Sequence, residues 1–299
     1  RLRVDYPDVT VADLYSAPTV GALATLLEQL KSGGGELNAP VTPVRRKTQI
    51  VQVIATFPLR AIAGVRWLVW IGLISNLLQA RGSFTFLPDF PWWFVLIGLV
   101  TLVSPWGRMA LAALGARILL RGVEPGDYPR GGKVHLRVWL AERLADELGA
   151  SNLAGAPWTR WYAKLLGARV EQHVDLHALP PITGWLSLGA ASSIEPEVDL
   201  RGHWVDGDVL HMGAIAVGAG ARVGTRSTLL GGADIGAKAE VAPGSAVFDA
   251  VPANESWSGA PAEPSGKARG PWLDERPANK PRWRLAYILT AMALAAFPA

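Results

Sequence analysis

The stretch Val217-Gly-Ala-Gly-Ala-Arg222, Val223-Gly-Thr-Arg-Ser-Thr228, Leu229-Leu-Gly-Gly-Ala-Asp234, Ile235-Gly-Ala-Lys-Ala-Glu240, Val241-Ala-Pro-Gly-Ser-Ala246 repeats every six residues. The first residue of each unit, here called the lead position, is always aliphatic, the second is often Gly, and the fifth is Ala or Ser. A six-residue period with two inward residues per unit matches neither an α-helix nor a lone strand. It is typical of a parallel β-helix, in which short flat faces stack coil upon coil.

The same period continues upstream, less cleanly. Before a break of one residue, the lead positions are Val170, Leu176, Ile182, Leu188, Ile194 and Leu200. After the break they are Val205, His211 and Val217. With three faces per coil, these positions predict a prism of roughly four coils over residues 166–262.

The composition points to a membrane and away from several kinds of chemistry. Of 299 residues only 18% are charged and 13 are Trp, and the mean hydropathy is +0.22. No cysteine is present, which excludes disulfides, thiolate chemistry and Cys-ligated metals. The net charge of +4 comes partly from basic residues beside apolar runs, which suits lipid headgroups. We find no motif for nucleic-acid binding.

Residues 1–32 have the pattern of a carrier domain's C-terminal part, and residues 33–47 that of a linker. The segment Leu14-Tyr-Ser-Ala-Pro-Thr19 resembles the turn before the final helix of an acyl- or peptidyl-carrier domain. Thr19 would cap that helix, and Leu23, Leu26, Leu27 and Leu30 have helical spacing. A short amphipathic helix of another kind remains the alternative. Because the chain begins with Arg1 and ends within an apolar run, we expect it to be a piece of a longer protein.

Residues 48–122 predict two transmembrane helices, because a bilayer crossing needs about 20 mostly apolar residues. We place the first crossing near 62–78 and the second within 90–120, with a kink at Pro105. A linker over 263–282 then leads to the start of a third crossing at 283–299. Basic residues flank the first two runs on their outer sides, which predicts a multi-pass cell-membrane protein with the β-helix and the carrier domain in the cytoplasm. The alternative is a pair of buried hairpin helices in a protein that does not enter a membrane.

Residues 123–165 predict amphipathic helices that lie either on the membrane or on the β-helix. Leu136, Leu140, Leu144 and Leu148 are spaced four apart, and Trp139, Trp158 and Trp161 suit an interface.

His211 is the candidate catalytic residue, because it occupies a lead position where the other residues are aliphatic. An imidazole in that place needs polar partners or must turn outward at the phase break. We expect Asp206 or Asp208 to hold it, as a carboxylate orients a general base. A structural histidine is the alternative. His203 is a weaker candidate for the same cleft.

Arg222 and Arg226 project from the coils. They would bind the phosphate of a pantetheine arm or simply face solvent. The spacing of the histidines predicts no metal site.

The repeat resembles that of the hexapeptide-repeat acyltransferases, whose coils are left-handed. The order of carrier tail, membrane helices, repeat and further membrane helix is similar to that of the single-module nonribosomal peptide synthetases of the epsilon-poly-L-lysine type. Leu179-Pro-Pro-Ile-Thr-Gly184 and Asp206-Gly-Asp-Val-Leu-His-Met-Gly213 are similar to stretches of that family's tandem terminal domains. The resemblance implies a mixed fold: membrane α-helices, a left-handed parallel β-helix and the helical tail of a carrier domain.

The resemblance also implies an enzyme that forms amide (isopeptide) bonds by aminolysis of aminoacyl thioesters. Phosphopantetheine would be attached to a carrier Ser upstream of residue 1, and ATP would be used only in an adenylation domain outside this chain. The implied partners are the carrier and adenylation domains of the same polypeptide, further tandem β-helix domains, membrane lipid and other copies in a homo-oligomer. Two alternatives stay open: a non-catalytic β-helix that docks the carrier, and a membrane acyltransferase that acts on lipid or sugar.

Overall fold

The computed structural model describes residues 19–33, 42–82, 84, 86–150, 158–270 and 281–296. The chain divides into a first compact unit that ends at Pro43 and a second that begins at Val44. In the first unit, helix α1 spans Val20–Gly33. The hydroxyl of Thr19 accepts a hydrogen bond from the backbone N–H of Ala22, 3.2 Å away, which confirms the predicted cap. Residues 14–18 of the carrier-like turn lie outside the described residues.

The second unit begins with long apolar helices. Their bounds are α2 at Arg46–Ala80, α3 at Trp92–Gly98 with a π-helical continuation at Leu99–Val103, and α4 at Pro105–Leu119. Helix α2 is continuous and begins at Arg46, well before the predicted first crossing at 62–78. Helices α3 and α4 differ in direction by 70°, which confirms a sharp bend before Pro105. Ser104 caps α4 by accepting from the N–H of Gly107.

In length and composition, α2 is the one described helix that could cross a membrane by itself. The bent pair of α3 and α4 makes a second candidate if it is taken as one span. Helix α7, Pro281–Ala296, overlaps the predicted third crossing at 283–299 and begins two residues before it. Membrane insertion of these helices stays a prediction.

Residues 123–165 contain more than the predicted helices. Strand β1 spans Gly126–Pro129, and helices α5 and α6 span Lys133–Glu147 and Thr159–Leu166. The most buried residues of α5 are small ones, Val138, Ala141 and Ala145, whereas three of the four leucines of the predicted stripe are only partly buried and Leu148, just after the helix, is buried. Small side chains let α5 pack closely against α4 and α6 in one apolar cluster. Thus α5 lies against protein on both sides, with the helices on one and strands on the other.

The β-helix is confirmed as a three-sided prism. Its strands are β2 Arg169–Val170, β3 Asp175–Leu176, β4 Leu186–Leu188, β5 Ser193–Ile194, β6 Asp199–Arg201, β9 Ile215–Val217, β10 Arg222–Val223, β11 Thr228–Leu230, β12 Asp234–Ile235, β13 Glu240–Val241, β14 Ala246–Val247, β15 Ala250–Val251 and β16 Glu255–Ser258. They form three parallel faces, in the orders β15-β12-β9-β4-β2, β16-β13-β10-β5-β3 and β14-β11-β6. Strand β17, Glu263–Lys267, pairs with β16 in the antiparallel sense, within the predicted linker. The left hand of the coil stays a prediction.

The positions of the repeat have the roles that their side chains predict. Lead residues such as Val223, Leu229 and Ile235 are fully buried in one aliphatic core. The small fifth residues are buried beside them: Ala221, Ser227, Ala233, Ala239 and Ser245. Gly218 lies so close to the next coil that an added Cβ would be 2.6 Å from the backbone nitrogen of Ala237. The glycines after the lead positions therefore permit close approach of backbone to backbone.

The prism is interrupted once by an inserted hairpin. Val223 pairs with Val241, 18 positions later, but with Ile194, 29 positions earlier. The eleven extra residues form strands β7, His203–Asp206, and β8, Val209–Met212, which pair with each other and with β1. Eleven is one less than two six-residue units, which is why the period seemed to continue through Val205 and His211. The assignment of Val205 and His211 to lead positions of the prism is therefore wrong, and His211 turns out of the prism at the break, as one of the two expectations for it required. Ile182 lies in a turn rather than a strand.

Candidate functional site

The inserted hairpin carries the predicted catalytic histidine at the middle of a three-stranded antiparallel sheet. In strand register, His211 of β8 lies between Trp204 of β7 and Asp127 of β1. Residues directly opposite in an antiparallel sheet point to the same face, so all three side chains share one face. The backbone N–H of Arg130 donates to the carbonyl of Asp208, which fixes β1 to the hairpin turn.

On this face, His211 is held by a carboxylate and an aromatic ring. Its Nδ1 atom lies 2.7 Å from Oδ1 of Asp127. The indole of Trp204 stacks on the imidazole, with ring centroids 4.3 Å apart and planes 27° from parallel. Since a carboxylate oxygen only accepts, we assign the proton to Nδ1, which leaves the lone pair on Nε2. Nε2 makes no hydrogen bond within the described part of the chain, and the side chain is 28% exposed.

Asp127, and not Asp206 or Asp208, is the carboxylate that contacts His211. Asp206 ends β7, and Asp208 lies in the turn that follows, so both are at the tip of the hairpin. His211 is two pairs back from that tip, opposite Trp204. The expected histidine–carboxylate pair thus exists. Its carboxylate comes from β1, and no sequence motif around Asp127 predicts that role. Catalytic roles for His211, Asp206 and Asp208 stay predictions.

His203 belongs to a different site from His211, because the two lie on opposite faces of the hairpin. His203 pairs with Met212 in register, on the face that packs against α5. Its Nε2 is 3.5 Å from Oε1 of Glu142 on α5. Together they line a cleft of about 350 Å³ between α5, α6, the turn at 179–182 and strand β6. The turn is part of the Leu179–Gly184 stretch that carried the family resemblance.

The two groups of this pair have pKa values shifted in opposite directions. Partial burial, which leaves 43% of the Glu142 side chain exposed, raises its pKa to about 7, assisted by repulsion from Asp146. Burial also lowers the pKa of His203, and the positive charge of Arg201 adds to that effect. Near neutral pH the imidazole is therefore uncharged and the carboxyl group is close to half ionised.

Arg222 and Arg226 are both engaged with carboxylates of a neighbouring coil. Arg222 donates to Glu195 at 2.9 and 2.7 Å, and Arg226 donates to Glu197 at 2.6 Å. These pairs form a partly solvated ladder between coils. A role for either arginine in binding a pantetheine arm stays a prediction.

Comparison with known proteins gives one informative relative. The delta-poly-L-ornithine synthetase of Acinetobacter baumannii (strain AB307-0294) is 27% identical over 303 residues. The match covers 96% of this chain. The chain spans 22% of the length of that relative. This chain is related to an amino-acid polymer synthetase, while the narrower resemblance to the epsilon-poly-L-lysine type stays a prediction. No protein-family model matches the chain.

Several solved structures of hexapeptide-type acetyltransferases are also similar. Serine acetyltransferase from Neisseria gonorrhoeae is 20% identical, with 87% of this chain and 90% of that chain covered and a TM-score of 0.33. The hexapeptide-repeat acetyltransferase VCA0836 from Vibrio cholerae is 12% identical, with 55% and 93% covered and a TM-score of 0.34. Because these TM-scores are low, the fold is assigned from the strand register alone.

Proposed function

We propose that this chain is an amide-bond-forming part of a membrane-bound nonribosomal peptide synthetase, in which an amine attacks an aminoacyl thioester on a carrier domain. The observation that carries the proposal is the 2.7 Å contact between His211 and Asp127 on an open sheet face. The similarity to a polymer synthetase along 96% of the chain supports the same chemistry.

In the proposed reaction the protein mainly positions the reactants and transfers a proton, because a thioester is already activated. A C–N bond forms as the C–S bond breaks. The attacking amine gives a proton to Nε2 of His211, and the departing pantetheine thiolate takes it up. Asp127 fixes the tautomer that leaves Nε2 basic and stabilises the imidazolium that forms.

The remaining parts of the proposal concern the surroundings of the reaction. The apolar helix α2 and the bent pair of α3 and α4 would anchor the chain in the cell membrane, with the β-helix and carrier in the cytoplasm. Phosphopantetheine would arrive on a carrier Ser that precedes residue 1, and ATP would be used by an adenylation domain of the same polypeptide. Further tandem β-helix domains, or other copies in a homo-oligomer, would complete the site. Arg222 and Arg226 are the proposed contacts of the pantetheine phosphate.

One observation favours a second candidate function, a β-helix that docks the carrier without catalysis. Asp127 is 68% exposed, so the histidine–carboxylate pair lies on a shallow surface rather than in a closed pocket. Such a surface suits protein docking as well as proton transfer. A membrane acyltransferase that acts on lipid or sugar differs from both in accepting acyl-CoA in place of a loaded carrier.

The deciding experiment measures polymer synthesis by full-length protein that carries His211→Ala, with His177→Ala as the matched control. We expect the rate to fall by about a hundredfold or more with His211→Ala, as for loss of a general base. His177 is exposed and directly follows β3, outside both the hairpin and β1, so its variant should be active. Equal rates for wild type and His211→Ala would leave the docking function. Transfer from acyl-CoA at the rate of the loaded carrier would favour the lipid or sugar acyltransferase.

A further inference from the structure

The cleft on the other face of the hairpin has the composition of a ligand site. Its volume of about 350 Å³ is within the range of small-molecule pockets. One part of the wall is apolar and the other is charged. The residues that the argument uses are Glu142, Tyr162, Pro180, Ile182, Leu200 and His203.

The charges of the cleft leave one carboxylate without a cationic partner. Arg201 pairs with Asp199 at 2.6 Å, and Arg143 pairs with Asp146 at 3.5 Å. Glu142 has only the imidazole of His203, at 3.5 Å, within the described residues. Because His203 is uncharged near neutral pH, an ionised Glu142 gives the cleft an excess of one negative charge.

Tyr162 supplies a second, independent sign of a ligand. Its side chain lines the cleft and the residue is only 2% exposed, yet its hydroxyl makes no hydrogen bond to a described residue. A buried phenol normally finds a hydrogen-bond partner. A ligand that donates to both Tyr162 and Glu142 would give the Tyr162 hydroxyl a partner and offset the negative charge of Glu142.

The ligand that fits these walls is organic rather than a metal ion. Among the described residues, no three His, Asp or Glu side chains are arranged to hold a metal. Pro180 and Ile182 on the turn, together with Leu200 on β6, offer an apolar wall that suits methylene groups. A short alkyl chain that ends in a cation matches both halves of the cleft.

We propose that this cleft binds a primary alkylammonium group, with the Glu142 carboxylate and the Tyr162 hydroxyl as its hydrogen-bond acceptors. His203 borders the same position, with its Nε2 3.5 Å from Oε1 of Glu142. The site is separate from His211, which faces away from α5, so the inference goes beyond the proposed function and does not depend on it.

Ligand binding at this site is linked to a proton. The pKa of Glu142 is about 7, and an ammonium group beside it favours the ionised form, so binding releases a proton near neutral pH. The titratable and charged groups around Glu142 in the cleft come from four elements. On α5 they are Arg143 and Asp146, on α6 Tyr162, on β6 Asp199 and Arg201, and on β7 His203.

The experiment titrates the full chain, in detergent micelles, with n-butylammonium chloride and with 1-butanol, and follows the heat of binding at pH 7. We expect butylammonium to bind and butanol not to bind. Glu142→Gln should weaken butylammonium by about tenfold or more, as for loss of a hydrogen bond to a charged group. Tyr162→Phe should weaken it severalfold, and Glu124→Gln, outside the cleft, should have no effect. The heat measured in phosphate and in Tris should differ for wild type, because a proton is released, and agree for Glu142→Gln.

Equal binding of butylammonium by wild type and Glu142→Gln would overturn the proposal, as would equal binding of butanol. If Glu142→Gln does not fold, Tyr162→Phe decides, since an unchanged affinity in that variant would also overturn it. Neither result affects the role proposed for His211, which is measured by synthesis and not by amine binding.

Discussion

His211 and Asp127 are 84 residues apart in the chain, yet their side chains meet at 2.7 Å. The contact exists because β1, which precedes α5, pairs with the hairpin inserted between β6 and β9. Helix α5 then covers the other face of that sheet, where Val138 packs against Leu210 and Met212. The hairpin is therefore where the helical region and the prism join, with one histidine on each face.

This relationship predicts that Asp127→Asn will impair synthesis more than any change at Asp206. An amide keeps the shape of the side chain, but it neither selects the basic Nε2 tautomer nor stabilises an imidazolium. We expect a loss of at least about tenfold in the rate constant of synthesis, measured with loaded carrier. Glu124→Gln, which removes a charge near the same strand, is the control and should stay within twofold of wild type. A larger loss with Asp206→Asn would contradict the geometry described above.

The inserted hairpin predicts different effects for the same substitution at two valines. Val223 is fully buried in the prism, whereas Val205, on the hairpin, is 43% exposed. Val223→Ala removes two buried methyl groups and leaves a cavity, so we expect the free energy of unfolding to fall by about 2 kcal/mol. Val205→Ala should cost less than about 0.5 kcal/mol, as at a surface site. Chemical unfolding followed by tryptophan fluorescence gives both values, and equal losses would place Val205 in the core after all.

The prism could be predicted from the sequence because each of its positions has one environment. A lead residue such as Leu229 is always inside, and a fifth residue such as Ala233 always has room only for a small side chain. Those constraints act within six residues, so they are visible in a single chain. The hairpin was not predicted because its eleven residues nearly complete two six-residue units. Its alternating strand residues also place Val205 and His211 where the repeat would have lead positions.

The site was predicted only in part, for a related physical reason. His211 stood out as a polar residue among aliphatic ones, and that signal was real although its cause was an insertion. Asp127 and Glu142 gave no local signal, because each acts through a partner far along the chain. Glu142 lies on an amphipathic helix among other charged residues, and only the packing of α5 against the hairpin distinguishes it. Tyr162 likewise becomes notable only when its hydroxyl is found without a partner among the described residues.

Glu142 also predicts how the stability of the protein depends on pH. Its pKa in the folded chain is about 7, above the ordinary value of 4.5, so the folded state favours the protonated carboxyl group. The contribution is fully present below about pH 4.5 and is lost as the pH rises through 7. Glu142→Gln removes that loss, so the variant should gain stability over wild type between pH 5 and pH 8.

Thermal unfolding of wild type and of Glu142→Gln, at pH 5 and at pH 8, measures this gain. Glu124→Gln serves as the control and should shift the unfolding temperature equally at both. The lowered pKa of His203 affects stability at acid pH instead. Because the folded state disfavours the protonated imidazole, the folded chain is destabilised as the pH falls below 6.5. His203→Gln should therefore relieve instability at pH 5 and not at pH 8. An advantage for Glu142→Gln that shrinks toward pH 8 would contradict the assignment.

The close stacking of the coils predicts opposite effects for two glycine-to-alanine changes. At Gly218 the new Cβ would lie 2.6 Å from the backbone nitrogen of Ala237, so a coil must shift. We expect Gly218→Ala to lower the free energy of unfolding by about 2 kcal/mol, as for an overpacked core. At Gly64, in the middle of α2, nothing lies within 4 Å, and alanine favours a helix by about 1 kcal/mol. Gly64→Ala should therefore unfold at the same temperature as wild type or higher. If Gly218→Ala proved as stable as Gly64→Ala, the coils would have to be farther apart than their backbone hydrogen bonds, such as that from Gly218 to Ile235 at 2.7 Å, allow.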